Sequence, residues 1–341
     1  MAIALITTGG TIVSERAATS GLAAPTLGGE ALLASIAAFG PAGERPQVQV
    51  FDSFRVPSPL IGLEEWRRLH ALTQEVLERP DIEGAVVTHG TSTLEETAWF
   101  LDLTLDTVKP VVLTGAQRNA SEPDSDGPRN LFNALTICAA MAARRIQGVV
   151  VALNDSIHAA REVTKSQTLN VETFNSGVWG SLGHVRAGRV IFHREPLRRL
   201  HLALLPDELP SVFIVPMYVG AGGELIEAAV ARGARGIVVQ GIASGHVNAA
   251  MHDALVDALD AGVSVVLATR IPSGGTRVGY SFKGSSHTLV SKGAVLSDDL
   301  SPWKARILLM LALQNGLRCP QALGRLFADD EVPVSSVDAP S

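Results

Sequence analysis

Short runs of unbroken apolar residues alternate along the chain with stretches whose apolar positions recur at helical spacing. Residues 2–7 (AIALIT), 84–88 (GAVVT), 110–114 (PVVLT) and 148–153 (GVVVAL) are apolar at successive positions. A strand with one wet face would alternate, so these runs predict strands buried on both faces, as in a parallel sheet. Between them, 63–78, 93–105 and 128–144 read as helices. The first opens on Glu64, Glu65 and Trp66 and carries an apolar stripe at Leu69, Leu72 and Val76. This is the βα alternation of a doubly wound sheet.

The pattern breaks over 193–210, where Pro196, Pro206 and Pro210 stand among several charges and predict an interdomain linker. Beyond it, 211–218, 236–242 and 264–271 predict strands, and 224–234, 247–261 and 301–315 predict helices. The expected molecule is a two-domain α/β protein. Residues 1–192 form the larger N-terminal domain, with a doubly wound, parallel-rich sheet. Residues 211–330 form a smaller α/β C-terminal domain, and 331–341, with Pro333 and Pro340, form a mobile tail.

Composition narrows the function classes. The 341 residues are 46% hydrophobic and 18% charged, enough apolar material for two cores. The net charge of −6, with no stripe of Lys and Arg, argues against a nucleic-acid partner. The pair Arg198–Arg199 reads as a solvated linker face. No apolar run reaches the roughly 20 residues of a membrane span. Cys138 and Cys319 form no CxxC pair, and Cys138 lies among Leu135, Ile137 and Ala139 as core filler. A reduced, cytoplasmic compartment is expected. The first residues, Met-Ala-Ile-Ala-Leu-Ile, lack the basic region of a signal peptide.

Two strand ends carry candidate chemistry. In Thr7-Thr8-Gly9-Gly10-Thr11-Ile12 a buried strand runs into two glycines and a hydroxyl. This is either a plain turn with a solvated threonine, or a reactive hydroxyl at the strand end where such sheets bind ligands. In Val87-Thr88-His89-Gly90-Thr91-Ser92-Thr93-Leu94-Glu95-Glu96 a second strand does the same. Thr93 and Glu96 have capping-box spacing, which leaves Thr91 and Ser92 at the tip. His89 reads as a general base or as a hydrogen-bonded core histidine. Lys165, after Thr164, is either a surface lysine or a base whose pKa burial lowers. Other motifs fail. Gly220, Gly222 and the following residues miss the third glycine of a dinucleotide loop, and His184, His193 and His201 lack metal-ligand spacing.

Together these residues resemble the bacterial type I/type II L-asparaginase family. TGGTI (8–12), HGTxTxEETAxFLDLT (89–104), PVVLTGAQR (110–118), DGPxNLxNA (126–134), REVTK (161–165) and SPWKARILLxLAL (301–313) occur in the family's order over nearly the whole chain. The resemblance implies hydrolysis of a side-chain carboxamide, with L-asparagine or a close analogue as substrate. Thr11 would be the nucleophile, and Thr91 and Lys165 the second hydroxyl–base pair. Ser53 would hold the substrate carboxylate, and backbone near Gly90, Thr91 and Ala116 the oxyanion. It implies no metal or organic cofactor. It also implies a homotetramer or dimer in which a neighbour's C-terminal domain completes the site.

Four positions depart from the family pattern. Ser92 stands for the usual Asp, Phe54 for the usual Gln, and His246 for the partner's Asn. Tyr280 or Ser281 falls near the partner's Glu, within a stretch from Ala261 to Ser297 that has no Asp or Glu. These positions hold the substrate's α-ammonium, and a cation in a closed site needs paired carboxylates. The alternative expectation is therefore an amide lacking a free α-amino group, or a non-catalytic small-molecule-binding homologue. Residues 13–30 also lack the family's lid tyrosine. The loop reads Ser14, Glu15, Thr19, Ser20, Gly21, leaving Ser14, Lys165, water or Tyr280 as candidates to activate Thr11.

Overall fold

The computed structural model describes residues 1–16, 22–37, 39, 46–196 and 200–328. The chain divides into two compact units, Met1–Ala203 and Leu204–Ser341. Thr19, Ser20 and Gly21, the Arg198–Arg199 pair and the expected tail all lie outside the described residues.

The first unit is built on an eight-stranded sheet. Its strands are β1 (Ala2–Gly9), β2 (Gln47–Val56), β3 (Ile82–Thr88), β4 (Val111–Thr114), β5 (Val149–Leu153), β6 (Ser156–Ala159), β7 (Gly183–Arg186) and β8 (Arg189–Phe192). They are ordered β8-β7-β6-β5-β4-β3-β1-β2. The five strands from β2 to β5 in this order are parallel, and β6, β7 and β8 continue antiparallel. The expected buried runs are the central strands, with Ile3, Leu5, Val86, Val112 and Val150 all 0% exposed.

The order reverses at β1, which has β2 on one side and β3 on the other. The carboxyl ends of the strands at such a switch point are where sheets of this kind place their ligands. Helices flank the sheet, among them α1 (Leu63–Glu78), α2 (Leu94–Thr104) and α3 (Gly127–Arg144). The α3 residues Leu131, Ala134, Leu135, Ile137, Cys138 and Met141 pack on the Ile3, Leu5 and Val86 face. α1 and α2 pack together through Trp66 and Phe100, whose rings stack 4.8 Å apart. At the start of α1 the Gly62 N–H donates to the Glu65 carboxylate at 2.8 Å, satisfying an otherwise open helix donor.

Several strands went unpredicted for physical reasons. β2 has one buried residue, Ser53, among half-buried and exposed ones and carries Asp52 and Arg55, because it is the edge strand. β6, β7 and β8 are four residues each and include Ser156, His184, Arg186 and Arg189.

The second unit has a four-stranded parallel sheet of β9 (Val212–Pro216), β10 (Gly236–Gly241), β11 (Ser264–Thr269) and β12 (Val295–Leu296), in that order. Helices α4 (Glu224–Ala231) and α5 (Ala249–Asp260) share one core cluster with it through Ile226, Met251, Leu255, Ile237, Val239 and Leu267. α6 (Pro302–Gln314) is apolar nearly all round and buried.

Core packing in the first unit is tight enough to be tested at one atom. A Cβ on Gly84 would lie 2.5 Å from the Cys138 sulfur and 3.0 Å from the Pro110 carbonyl oxygen. Gly84→Ala is expected to lower the unfolding free energy by about 1–3 kcal/mol. Adding Cys138→Ala should return part of that loss. A double-mutant cycle by urea unfolding that shows strict additivity would contradict this packing.

Candidate active site

The crevice at β1 and β3 is set by glycine. Gly9 has φ 109° and Gly10 φ 85°, a region open to glycine at little cost. A Cβ on Gly10 would lie 2.4 Å from both Cα and N of Gly90. The two strand ends therefore touch backbone to backbone. Thr11 follows Gly10 and Thr91 follows Gly90, so one contact brings both hydroxyl residues to the same place. The neighbouring loops close in the same way: a Cβ on Gly115 would stand 2.4 Å from the His89 carbonyl oxygen. Thr8 Oγ1 adds a cross-strand bond by donating to the Thr88 carbonyl at 2.8 Å.

Thr11 opens a single 3₁₀ turn, Thr11–Val13, and is half-buried. Ser14, a candidate to activate it, is committed elsewhere. Its hydroxyl donates to the Gly10 carbonyl at 2.8 Å and closes the turn.

Thr91 and Lys165 are brought together. Lys165 lies on a short ribbon, Thr164–Lys165 paired with Phe174–Asn175, and its Nζ donates to Thr91 Oγ1 at 2.7 Å. Burial holds the Lys165 ammonium below the ordinary lysine range, and the Glu95 charge opposes that shift. The Lys165 backbone N–H also donates to Glu95 Oε1 at 3.1 Å.

Gln117 completes the group, and sequence reasoning quoted it only inside the PVVLTGAQR block. Its Oε1 accepts from Thr91 Oγ1 at 2.8 Å and from Lys165 Nζ at 3.1 Å. The loop that carries Ala116 and Gln117 is clamped by Asp126, whose carboxylate accepts from the N–H groups of Gln117 (3.1 Å) and Arg118 (2.9 Å). Asn130 binds the Gly115 carbonyl at 3.0 Å. Ala116 is fully buried in this loop.

The remaining expected residues divide between the units. Ser53 is buried on β2, and its Oγ has no hydrogen-bond partner among the described residues. Phe54 beside it is half-buried. Ser92 is exposed, with its N–H donating to Ser58 Oγ at 3.3 Å. Ser58 was not foreseen. It also accepts at its carbonyl the Thr93 hydroxyl, at 3.0 Å. This corrects the capping-box expectation: Thr93 is the N-cap residue of α2, but its hydroxyl serves Ser58 and makes no cap bond.

His246 and Tyr280 belong to the second unit and lie together there, ring centroids 5.5 Å apart, with Phe282 5.2 Å from His246. His246 Nδ1 accepts from the Ser286 N–H at 3.1 Å, so its other nitrogen, 3.2 Å from Ser244 Oγ, carries the proton. Burial lowers the pKa of this imidazole.

His89 is the core histidine of its two readings. Trp66 Nε1 donates to Thr97 Oγ1 (2.9 Å), which is 3.0 Å from His89 Nε2, and His89 Nδ1 is 2.8 Å from the Gly90 carbonyl. With its oxygen taken by tryptophan, the Thr97 hydroxyl donates to Nε2, so Nδ1–H donates to Gly90. Burial pushes the His89 pKa down to about 4, against the opposing pull of the Gly90 carbonyl.

Comparison with known proteins agrees with this geometry. The family model "Asparaginase, N-terminal" matches residues 2–198, and "Glutaminase/Asparaginase C-terminal domain" matches 211–327. The chain belongs to the asparaginase family. It is 37% identical over 314 residues to an L-asparaginase of Bacillus licheniformis, covering 92% of this chain and 95% of that one. It is 39% identical over 251 residues to L-asparaginase 2 of Escherichia coli (strain K12), covering 72% and 70%. The crystal structure of a probable cytoplasmic L-asparaginase from Campylobacter jejuni superposes with a TM-score of 0.85 at 32% identity, covering 95% of this chain and 98% of that one. The chain is thus an asparaginase-like amidohydrolase, in a family of hydrolases acting on amide C–N bonds. No helix among the described residues is long and apolar enough to cross a membrane.

Two outcomes test the site's construction. Gly10→Ala must push the strand ends apart, and a displacement of about 1 Å costs on the order of a hundredfold in rate. Steady-state kinetics should show that loss mainly in kcat. The second concerns His89, whose folded pKa of about 4 lies below its unfolded value of about 6.5. The unfolded chain then takes up a proton that the folded chain refuses. Stability is complete above pH 6.5 and falls by about 3 kcal/mol as pH drops to 4. Urea unfolding of His89→Asn should lack that part of the slope.

Proposed function

We propose that this chain hydrolyses a side-chain carboxamide through a covalent threonine ester, with Thr11 as nucleophile. The observation that carries this reading is the 2.7 Å bond between Lys165 and Thr91, beside the backbone contact that delivers Thr11. Thr11 Oγ bonds to the amide carbon, and its proton leaves with the nitrogen as ammonia. Water then adds to the ester, giving its proton to the Thr91–Lys165 pair, and the acid departs as Thr11 regains its hydroxyl. Dividing one displacement into two makes each easier. Backbone N–H groups near Thr91 and Ala116 would hold the oxyanion, each contributing about 3 kcal/mol. No metal or organic cofactor enters these steps.

L-Asparagine, named in the Bacillus licheniformis and Escherichia coli relatives, is the first substrate reading. The orphaned Ser53 hydroxyl supports a carboxylate-bearing ligand, because a buried donor gains most from an anionic partner. One observation favours a second reading. Ser92 and Phe54 bring no charge to the crevice, and the stretch from Ala261 to Ser297, where the partner's Glu is expected, has no Asp or Glu. An asparagine analogue without a free α-ammonium would avoid burying an unpaired cation.

We further propose a homotetramer or dimer whose neighbouring copy presents His246 and Tyr280. Cytoplasmic residence is proposed with it, resting on the free Cys138 and Cys319 and on the wording of the Campylobacter title.

Ammonia release should be measured on L-asparagine, L-glutamine, D-asparagine, N-acetyl-asparagine and succinamic acid. Thr11→Ala is expected to lose at least about a thousandfold in kcat on whichever amide is turned over. Fast turnover of L-asparagine with none of the amine-free amides would exclude the second substrate reading. Silence on every amide, with Thr11→Ala binding them as the wild type does, would overturn the enzymatic one.

A further inference from the structure

The β4 end supplies Gln117 with every hydrogen-bonding group engaged. Oε1 accepts from both Thr91 and Lys165, at 2.8 and 3.1 Å. Nε2 donates toward the Thr168 carbonyl (3.2 Å), the Asn170 carbonyl (3.1 Å) and Thr173 Oγ1 (3.3 Å). The amide has one orientation. Turned over, its N–H groups would face the lysine ammonium, and its oxygen would face two carbonyl oxygens. The backbone is held as well, by the Asp126 carboxylate. Gln117 therefore ties the Lys165 head group to the 166–173 loop and fixes it against Thr91.

The chemical character of this partner matters more than its position. A carboxylate at hydrogen-bond distance would favour the charged ammonium, whereas a carboxamide oxygen orients the lysine with no net charge. Position 92, beside Thr91, is an exposed serine and offers no such acid. The charged groups around the lysine come from three elements. Glu95 on α2 binds the Lys165 backbone N–H. Asp126 faces the far, backbone end of Gln117, and Glu162, three residues earlier, is ion-paired with Arg194.

We propose that Gln117 is a positioning residue for the reaction: it holds Lys165 on Thr91 as a neutral acceptor and so leaves the lysine able to take up and release a proton. This rests on the reading of Thr91 and Lys165 as the hydroxyl–base pair. It extends that reading by assigning the lysine's orientation to a neutral residue on β4's loop rather than to an acid beside Thr91.

The test is the pH dependence of kcat for Gln117→Glu, Gln117→Met and Lys165→Met, on the amide the wild type turns over fastest, with far-UV circular dichroism and a thermal melt on each variant. In Gln117→Glu the limb that rises with pH should move up by about one unit or more, with activity returning in alkali. Gln117→Met, which keeps the length and loses the acceptor, should lower kcat about tenfold or more with no upward move of the limb and little change in KM. A merely structural role would weaken both variants alike and shift neither profile. An unmoved limb in folded Gln117→Glu, with Lys165→Met inactive, overturns this proposal alone. Wild-type turnover by Lys165→Met overturns the hydroxyl–base reading and this proposal together.

Discussion

The site depends on one steric fact: the ends of β1 and β3 meet where neither residue has a side chain. Gly10 and Gly90 pass so closely that a single methyl group on Gly10 would lie 2.4 Å from the opposite backbone. Neighbouring bonds make the contact rigid. Thr8 reaches across to β3, Ser14 closes the turn after β1, and His89 holds the Gly90 carbonyl from inside the core. That last bond belongs to a relay that starts at Trp66 on α1 and passes through Thr97 on α2. Helix packing on one face of the sheet thus reaches the candidate site through hydrogen bonds whose proton positions are fixed by their neighbours.

Much of this was legible in the chain, for identifiable reasons. The central strands announce themselves because burial on both faces leaves no room for polar positions, and helices such as 63–78 show their stripe. The edge strand 47–56 escaped because only Ser53 in it is buried and Asp52 and Arg55 interrupt its apolar positions. Thr11, Thr91 and Lys165 stand in motifs whose glycines and order are specific. Gln117 stands in the PVVLTGAQR block without any sign there of its role, and Ser58 stands in no such motif. Each acts through contacts with residues 26 to 56 positions away, and no local pattern encodes such a partner. Thr93 shows the reverse error. Its spacing to Glu96 satisfies a local rule, yet the Ser58 carbonyl takes its hydroxyl because β2's loop passes over the helix start.

Neutrality runs through the structure as a theme. The histidine under the crevice is uncharged, burial lowers the pKa of His246 in the second unit, and Lys165 meets an amide oxygen. A low-charge environment strengthens every remaining electrostatic interaction, including that with a developing oxyanion. It suits the proposed role of the lysine as a base: desolvation lowers its pKa, and the Glu95 charge opposes the shift.

Ser53 leaves one donor on β2 unanswered. Among the described residues its buried hydroxyl has no hydrogen-bond partner, a condition that costs a folded chain about 1–3 kcal/mol. On the proposed reading, a substrate oxygen at that atom would supply the last hydrogen bond of folding, from a molecule that is not part of the chain.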